Sequence, residues 1–156
     1  EGQALYIMQD ADYQLFGASC IKELEISSRD EELNTEALKA LNLYEFRDAH
    51  PYSLSGGQKQ RLQMAISRVS QNKVIILDEP TSGLDKRSMY RVVDQLESMK
   101  RNHTIIIISH DYEFIRNITD RIFYLEDGRI KGNFYLDEDN VSQLNKTFEE
   151  MEAFYE

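Results

Sequence analysis

The chain has 156 residues, of which 41% are hydrophobic, 29% charged and 10% aromatic, a size and make-up that fit one globular domain. Its longest aliphatic stretch, Ile105 to Ile108, is strand-sized, so no apolar run approaches the roughly 18 residues of a membrane span. Acids exceed bases by 28 − 18 = 10; the resulting charge of −10 disfavours a broad nucleic-acid surface, which needs cations to replace phosphate counterions. A small phosphate ligand stays open, because backbone N–H groups can hold one against an acidic background. Cys20 is the only cysteine, which excludes an internal disulfide and reads as a small packing residue. Neither end has signal-peptide character. The chain opens on Glu1 rather than methionine and enters a strand almost at once, as expected of a piece of a longer protein.

Ala4 to Met8 is a short apolar strand running into Gln9-Asp10. Tyr13 to Leu43 has helical character. Within it Ser28-Arg29-Asp30-Glu31 has the form of a capping box with Ser28 as the cap. Leu33, Ala37 and Leu41 then give one apolar face. His50-Pro51 interrupts this region. Lys59 to Ser70 is a helix-forming run. From Asn72 strands and helices alternate: Val74 to Leu77 reads as a strand buried on both faces, and Met89, Val92, Val93, Leu96 and Met99 mark an amphipathic helix. Thr104 to Ser109 reads as a second buried strand, Phe114, Ile115 and Ile118 as a short helix, and Ile122 to Leu125 as a third strand. Asp127-Gly128 is a two-residue hairpin turn into Arg129 to Tyr135. The alternation predicts an α/β fold with a parallel sheet and crossover helices. After the acidic break Asp137 to Asn140, the residues Val141, Leu144, Phe148, Met151 and Tyr155 fall on one stripe of a terminal helix, whose default is to dock on its own domain.

Three segments carry chemistry. In Leu54-Ser55-Gly56-Gly57-Gln58, two adjacent glycines let backbone approach an anion, and the helix behind them offers free N–H groups and a positive dipole end. Ser55 adds a hydroxyl and Gln58 an amide; the bland reading is a Gly-rich cap of a structural helix. Val74 to Leu77 delivers Asp78 and Glu79 to a strand end, where open α/β sheets bind ligands. The first acid of such a pair can hold Mg2+, and the second can take a proton from an attacking water. An isolated pair of this kind is more often a solvated turn. His110 directly follows an apolar strand, where it can donate to a phosphate oxygen, although a lone histidine is more often structural.

Together these segments resemble the ATP-binding domains of ABC proteins. Leu54 to Gln58 is similar to the ABC signature, Val74 to Glu79 to Walker B, Ser82-Gly83-Leu84-Asp85 to the D-loop, His110 to the switch histidine and Gln9 to the Q-loop glutamine. All five stand in the family's order. Asp127-Gly128-Arg129 also matches the family's usual hairpin. The resemblance implies a P-loop NTPase-like ABC ATPase core, with its parallel sheet missing the Walker A strand, plus a helical subdomain. It divides the chain into a Q-loop strand and Q-loop (1–12), a helical subdomain with the signature (13–71), a RecA-like core (72–136) and a helical tail (137–156). The resemblance implies ATP and Mg2+ as ligands. Asp78 would be a magnesium ligand, with Gln9 in the metal or water shell. Glu79 would activate the hydrolytic water, and His110 would contact the γ-phosphate. Ser55, Gly56, Gly57 and Gln58 would serve a nucleotide held mainly by a second ATPase domain, closed head to tail, with Asp85 on that boundary.

One family element has no counterpart: no stretch matches G-x-x-x-x-G-K-[ST], whose lysine and backbone hold the β- and γ-phosphates. In the family it precedes the Q-loop. The expectation is therefore an ATP hydrolase in the complete protein, while the isolated chain neither binds ATP tightly nor hydrolyses it. Without the phosphate-loop strand, Thr104–Ser109 and Ile122–Leu125 should lose their shared neighbour, giving a marginal fold.

Thr81 to Asp85 resembles the transporter form of the D-loop, and no coiled-coil insertion separates Gln9 from Leu54. These features, with the charge, favour the ATPase of a membrane transporter over the alternative of a soluble ABC machine acting on nucleic acid or ribosomes. Gln9 to Phe16, Lys22-Glu23-Leu24 and His50-Pro51-Tyr52-Ser53 resemble the energy-coupling-factor ATPases, which drive uptake of vitamins and metal ions. That likeness implies a peripheral protein on the cytoplasmic face of the membrane. It also implies contact between the Q-loop and helical region and a transmembrane component, with Asp10 and Asp12 facing basic helices and Phe16 as an apolar anchor.

Overall fold

A computed structural model describes residues 4–155. The chain divides into two compact units, Glu1–Ser109 and His110–Glu156.

In the first unit, strands β1 (Ala4–Ile7), β2 (Val74–Asp78) and β3 (Thr104–Ile108) form a parallel sheet in that order. The register pairs Ile7 with Leu77 and Leu77 with Ile107. Central β2 buries Ile75 and Leu77 completely, which fixes where its C-terminal carboxylates emerge. Strand β3 departs from expectation. It lies at the edge of this sheet and, against its reading as a buried strand, leaves Ile106 and Ile108 47% and 49% exposed. An apolar run reads alike whether one face or two are covered, so sequence alone could not separate the cases.

The helical region is two helices, α1 (Cys20–Ser27) and α2 (Glu31–Ala40), packed against the long α3 (Gly56–Val69). Ser28 closes α1, and the cap of α2 is Asp30, whose Oδ1 accepts from the Leu33 N–H at 3.0 Å. Ser28 Oγ instead accepts from the Asp30 N–H. The carboxylate is the stronger acceptor and sits at the spacing N-capping requires, so it displaces the predicted serine. Cys20 is fully buried, as a packing residue should be, and burial pushes its thiol pKa up. Helix α4 (Lys86–Met99) returns the chain from β2 to β3 and buries Met89, Val92, Val93, Leu96 and Met99, the predicted stripe.

In the second unit, α5 (Tyr112–Ile118) leads to the antiparallel pair β4 (Arg121–Glu126) and β5 (Arg129–Tyr135). Asp127 and Gly128 both have positive φ, as a tight hairpin demands. Strand β4 pairs with β5. Helix α6 (Val141–Tyr155) buries Leu144 and sets Phe148 edge-on to Tyr112, with ring centres 5.2 Å apart. It docks on its own unit. The side chain of Tyr155, the last residue of the predicted stripe, lies outside the described side chains.

Candidate nucleotide site

Asp78 is the last residue of β2. The Tyr6 hydroxyl, from β1, donates to its Oδ2 at 2.6 Å, and that bond, ahead of desolvation, raises the tyrosine pKa. Glu79 follows with φ +48°, the left-handed region that a side-chain-bearing residue enters at a cost of order 1 kcal/mol. Two bonds hold it there. Its N–H donates to the Ile108 carbonyl at 2.9 Å, extending the ladder, and Ser109 Oγ donates to Oε2 at 3.3 Å. The carboxylate is thereby turned away from the course a regular strand would give it.

Gln9 follows β1, with Nε2 directed to Ser82 Oγ at 3.4 Å. This contact spends the amide nitrogen and not the oxygen, which is the atom a hard cation takes. Asp10 caps a short 3-10 turn at Ala11–Tyr13 by accepting from the Asp12 N–H, and Asp12 pairs with Lys59 of α3. Gln63 Nε2 donates to the Met8 carbonyl at 3.0 Å, and Gln60 Nε2 donates to the Pro80 carbonyl. Helix α3 is thus tied to the end of β1 and to the turn after Glu79.

Ser55 stands at the N-cap of α3, and Gln58 Oε1 accepts from its N–H at 2.8 Å. Gln58 here closes the helix start with its amide oxygen. Gly56 has no protein atom within 4 Å of where a Cβ would lie, so no internal contact demands glycine there. Ser55 and Gly56 are exposed, so the helix start faces solvent, as an anion site requires. Asp85 is the N-cap of α4. Its carboxylate accepts from the Ser88 N–H at 2.8 Å, which chiefly holds its pKa below the ordinary carboxylate value.

A cleft of about 620 Å3 is lined by Gln9, Gly56, Gly57, Gln60, Ser82 and Gly83, among others. Gln9, Gly56, Gly57, Ser82 and Gly83 therefore line one cleft, while Asp78 and Glu79 line a smaller recess beside Gln9 and Gln60. His110 is exposed and opens the second unit, directly after Ser109.

Residues 1–82 match the family described as ABC transporter, more than half of the chain. The chain belongs to the ABC transporter family. An ABC transporter ATP-binding protein of Treponema denticola is 41% identical over 150 residues, 93% of this chain and 30% of that protein. The energy-coupling factor transporter ATP-binding protein EcfA2 of Clostridium acetobutylicum is 34% identical over 141 residues, 81% of this chain and 49% of the relative. This chain thus spans less than half the length of either. Among solved structures, cbiO1 of Clostridium perfringens, described as part of the ABC transporter complex cbiONQ, superposes with a TM-score of 0.76 at 29% identity, covering 92% of this chain and 61% of that one. The fold is that of the ABC ATPases, as the motif order implied.

Sequence reasoning missed Tyr6, Ser82 and Ser109, the partners of Asp78, Gln9 and Glu79. Tyr6 pairs across the ladder with Ile76, two residues before Asp78, so a correct register of β1 on β2 would have found it.

Proposed function

We propose that this chain supplies the hydrolytic acids and the signature of an ATPase that energises membrane transport, of the energy-coupling-factor type that takes up a vitamin or metal ion. The observation that carries the reading is the pinned Asp78–Glu79 corner at the end of β2. One carboxylate is bonded to Tyr6, and the next is forced into a left-handed conformation.

Among the described residues no group of three or more Asp, Glu, His or Cys side chains could cage a metal. The carboxylate of Asp78 at the end of β2 suits Mg2+, which is commonly held by one or two carboxylates together with substrate phosphates. Asp78 would hold it, with Gln9 at the edge of its shell. When bound, the ion screens the phosphate charge as the triphosphate is cleaved. Glu79 would orient a water and accept its proton. Its backbone is fixed by Ile108, and Ser109 turns its carboxylate. His110 would donate to the γ-phosphate. Ser55, Gly56 and Gly57 would meet the nucleotide of a second ATPase domain, and Asp85, at the start of α4, would lie on that boundary.

The membrane partner would meet the turn after Gln9. Asp12 already pairs with Lys59 and Asp10 caps its own turn, so the anchors there would be Tyr13 and Phe16, 72% and 76% exposed. No described helix is long and apolar enough to cross a membrane. By its likeness to transporter ATPase subunits, the chain would sit peripherally at the cytoplasmic face.

The test is Gly57→Asp in the complete protein. A carboxylate at the helix start repels the phosphate, so turnover falls by about a hundredfold or more while each domain still binds ATP. Unchanged turnover would remove the signature from the reading.

A further inference from the structure

Tyr6 stands in none of the motifs that carry the family resemblance, and its hydroxyl donates to Oδ2 of Asp78 at 2.6 Å. We propose that Tyr6 is a positioning residue for the metal ligand: it engages one oxygen of the Asp78 carboxylate and leaves Oδ1 for Mg2+. The inference rests on the reading of Asp78 as the Mg2+ ligand.

The parallel register pairs Tyr6 with Ile76 and Ile108 with Asp78. Side chains alternate along a strand, so Tyr6, Ile76 and Asp78 share one face of the sheet, with Asp78 one step beyond the Tyr6 row. A phenol is long enough to cross that diagonal. Of the β1 residues on this face, Ala4 and Tyr6, only Tyr6 carries a side-chain donor. Leu5 and Ile7 go to the opposite face, where Ile7 is buried.

Burial does not force this bond. Tyr6 is 38% exposed, so water could satisfy its hydroxyl, and a phenylalanine ring would cover the same apolar neighbours. What the hydroxyl adds is a neutral donor. A phenol stays protonated at neutral pH, so beside a carboxylate it donates. It fixes the carboxylate and leaves its charge in place, whereas a lysine or arginine there would offset that charge. Among the described residues no cation pairs with Asp78 and no other group donates to it, so its charge and Oδ1 remain for a metal ion. The bond also draws some charge off Oδ2. Fixed geometry outweighs that loss for Mg2+, whose octahedral shell tolerates little misplacement. Losing the outer hydrogen bond of a ligating group typically lowers metal affinity or activity by about 10–100-fold. Tyr6 supplies that bond from a strand, which holds a group more precisely than a loop does.

The experiment is a Mn2+ titration of the complete protein loaded with the non-hydrolysable nucleotide AMP-PNP, with protein in excess of nucleotide and free Mn2+ read by electron paramagnetic resonance. Tyr6→Phe keeps the ring and should weaken Mn2+ binding by about tenfold, with the urea midpoint and the metal-free nucleotide affinity unchanged. A purely structural tyrosine would give the reverse, a lower midpoint with unaltered Mn2+ affinity. Weakening of less than about threefold in a folded Tyr6→Phe protein overturns the proposal. Asp78→Asn in the same titration separates the two levels of the account. If it weakens Mn2+ binding and Tyr6→Phe does not, only the role of Tyr6 fails; if it changes nothing, Asp78 is not the ligand and both fail. Should Tyr6→Phe not fold, the wild type decides. The 13Cζ resonance of Tyr6 should move when Mg2+ is added to the nucleotide-loaded protein, because its acceptor then shares charge with the ion, and a resonance that stays in place overturns the proposal.

Discussion

Two glycines in this chain are glycine for opposite reasons, and one substitution at each separates fold from function. Gly17 is buried between the Q-loop turn and α1. A Cβ there would lie 2.8 Å from the Glu23 backbone nitrogen, 2.8 Å from Glu23 Oε2 and 3.0 Å from Glu23 Cα. Glu23 is itself buried and accepts from the Phe16 N–H at 2.9 Å and from the Gly17 N–H, so its carboxylate clamps the loop that presents Phe16. In Gly17→Ala the backbone contacts cannot yield as a flexible side-chain tip would. Overpacking costs about 1–3 kcal/mol, and loosening a hydrogen bond to the buried carboxylate adds about 1.5 kcal/mol, so the expected loss is about 2.5–4.5 kcal/mol. With a urea slope of about 2 kcal/mol/M, the midpoint falls by about 1–2 M. Gly56→Ala meets nothing within 4 Å and should stay within about 0.5 kcal/mol of the parent. Equilibrium urea unfolding followed by circular dichroism measures both. A Gly17→Ala midpoint equal to the wild type would refute the clamp, because the loop would then have moved at no cost.

Two further outcomes follow from the same physics. The Asp85 carboxyl is held below its ordinary pKa by the Ser88 N–H, so the stability it adds is present above the ordinary carboxylate range and is lost as pH falls through its folded pKa. Thermal melting of Asp85→Asn should therefore lie below the wild type at neutral pH and converge with it in strong acid; a constant gap across that range would discard the cap as its cause. Ile106→Thr with Ile108→Thr on the exposed side of edge strand β3 should slow aggregation with little change in unfolding midpoint, as read by light scattering and urea titration. Undiminished aggregation would place the sticky surface elsewhere.

What could be read from the chain was whatever its neighbours in sequence decide. Leu54–Gln58, Asp78–Glu79 and the Asp127–Gly128 turn are local patterns, and each lies where its spacing put it: at a helix start, a strand end and a hairpin. The α4 stripe was legible because five apolar residues at helical spacing have one way to be buried. Contacts between distant residues were not legible. Tyr6 reaches Asp78 across 72 residues of sequence, and Gln9 reaches Ser82 across 73. The α2 cap failed for a local reason, since Ser28 and Asp30 compete for one role and the carboxylate takes it. The polar ties of Gln60 and Gln63 went unnoticed because a glutamine inside a helix reads as solvated until its partner strand is placed.

The central claim is that Glu79, strained and pinned beside Asp78, takes the proton of the hydrolytic water. The direct measurement is ATP turnover by the complete protein carrying Glu79→Gln, with nucleotide binding followed in parallel. An amide accepts no proton at this position, so hydrolysis should fall by about a hundredfold or more while ATP binding is retained. Retention of most of the wild-type rate would contradict the account.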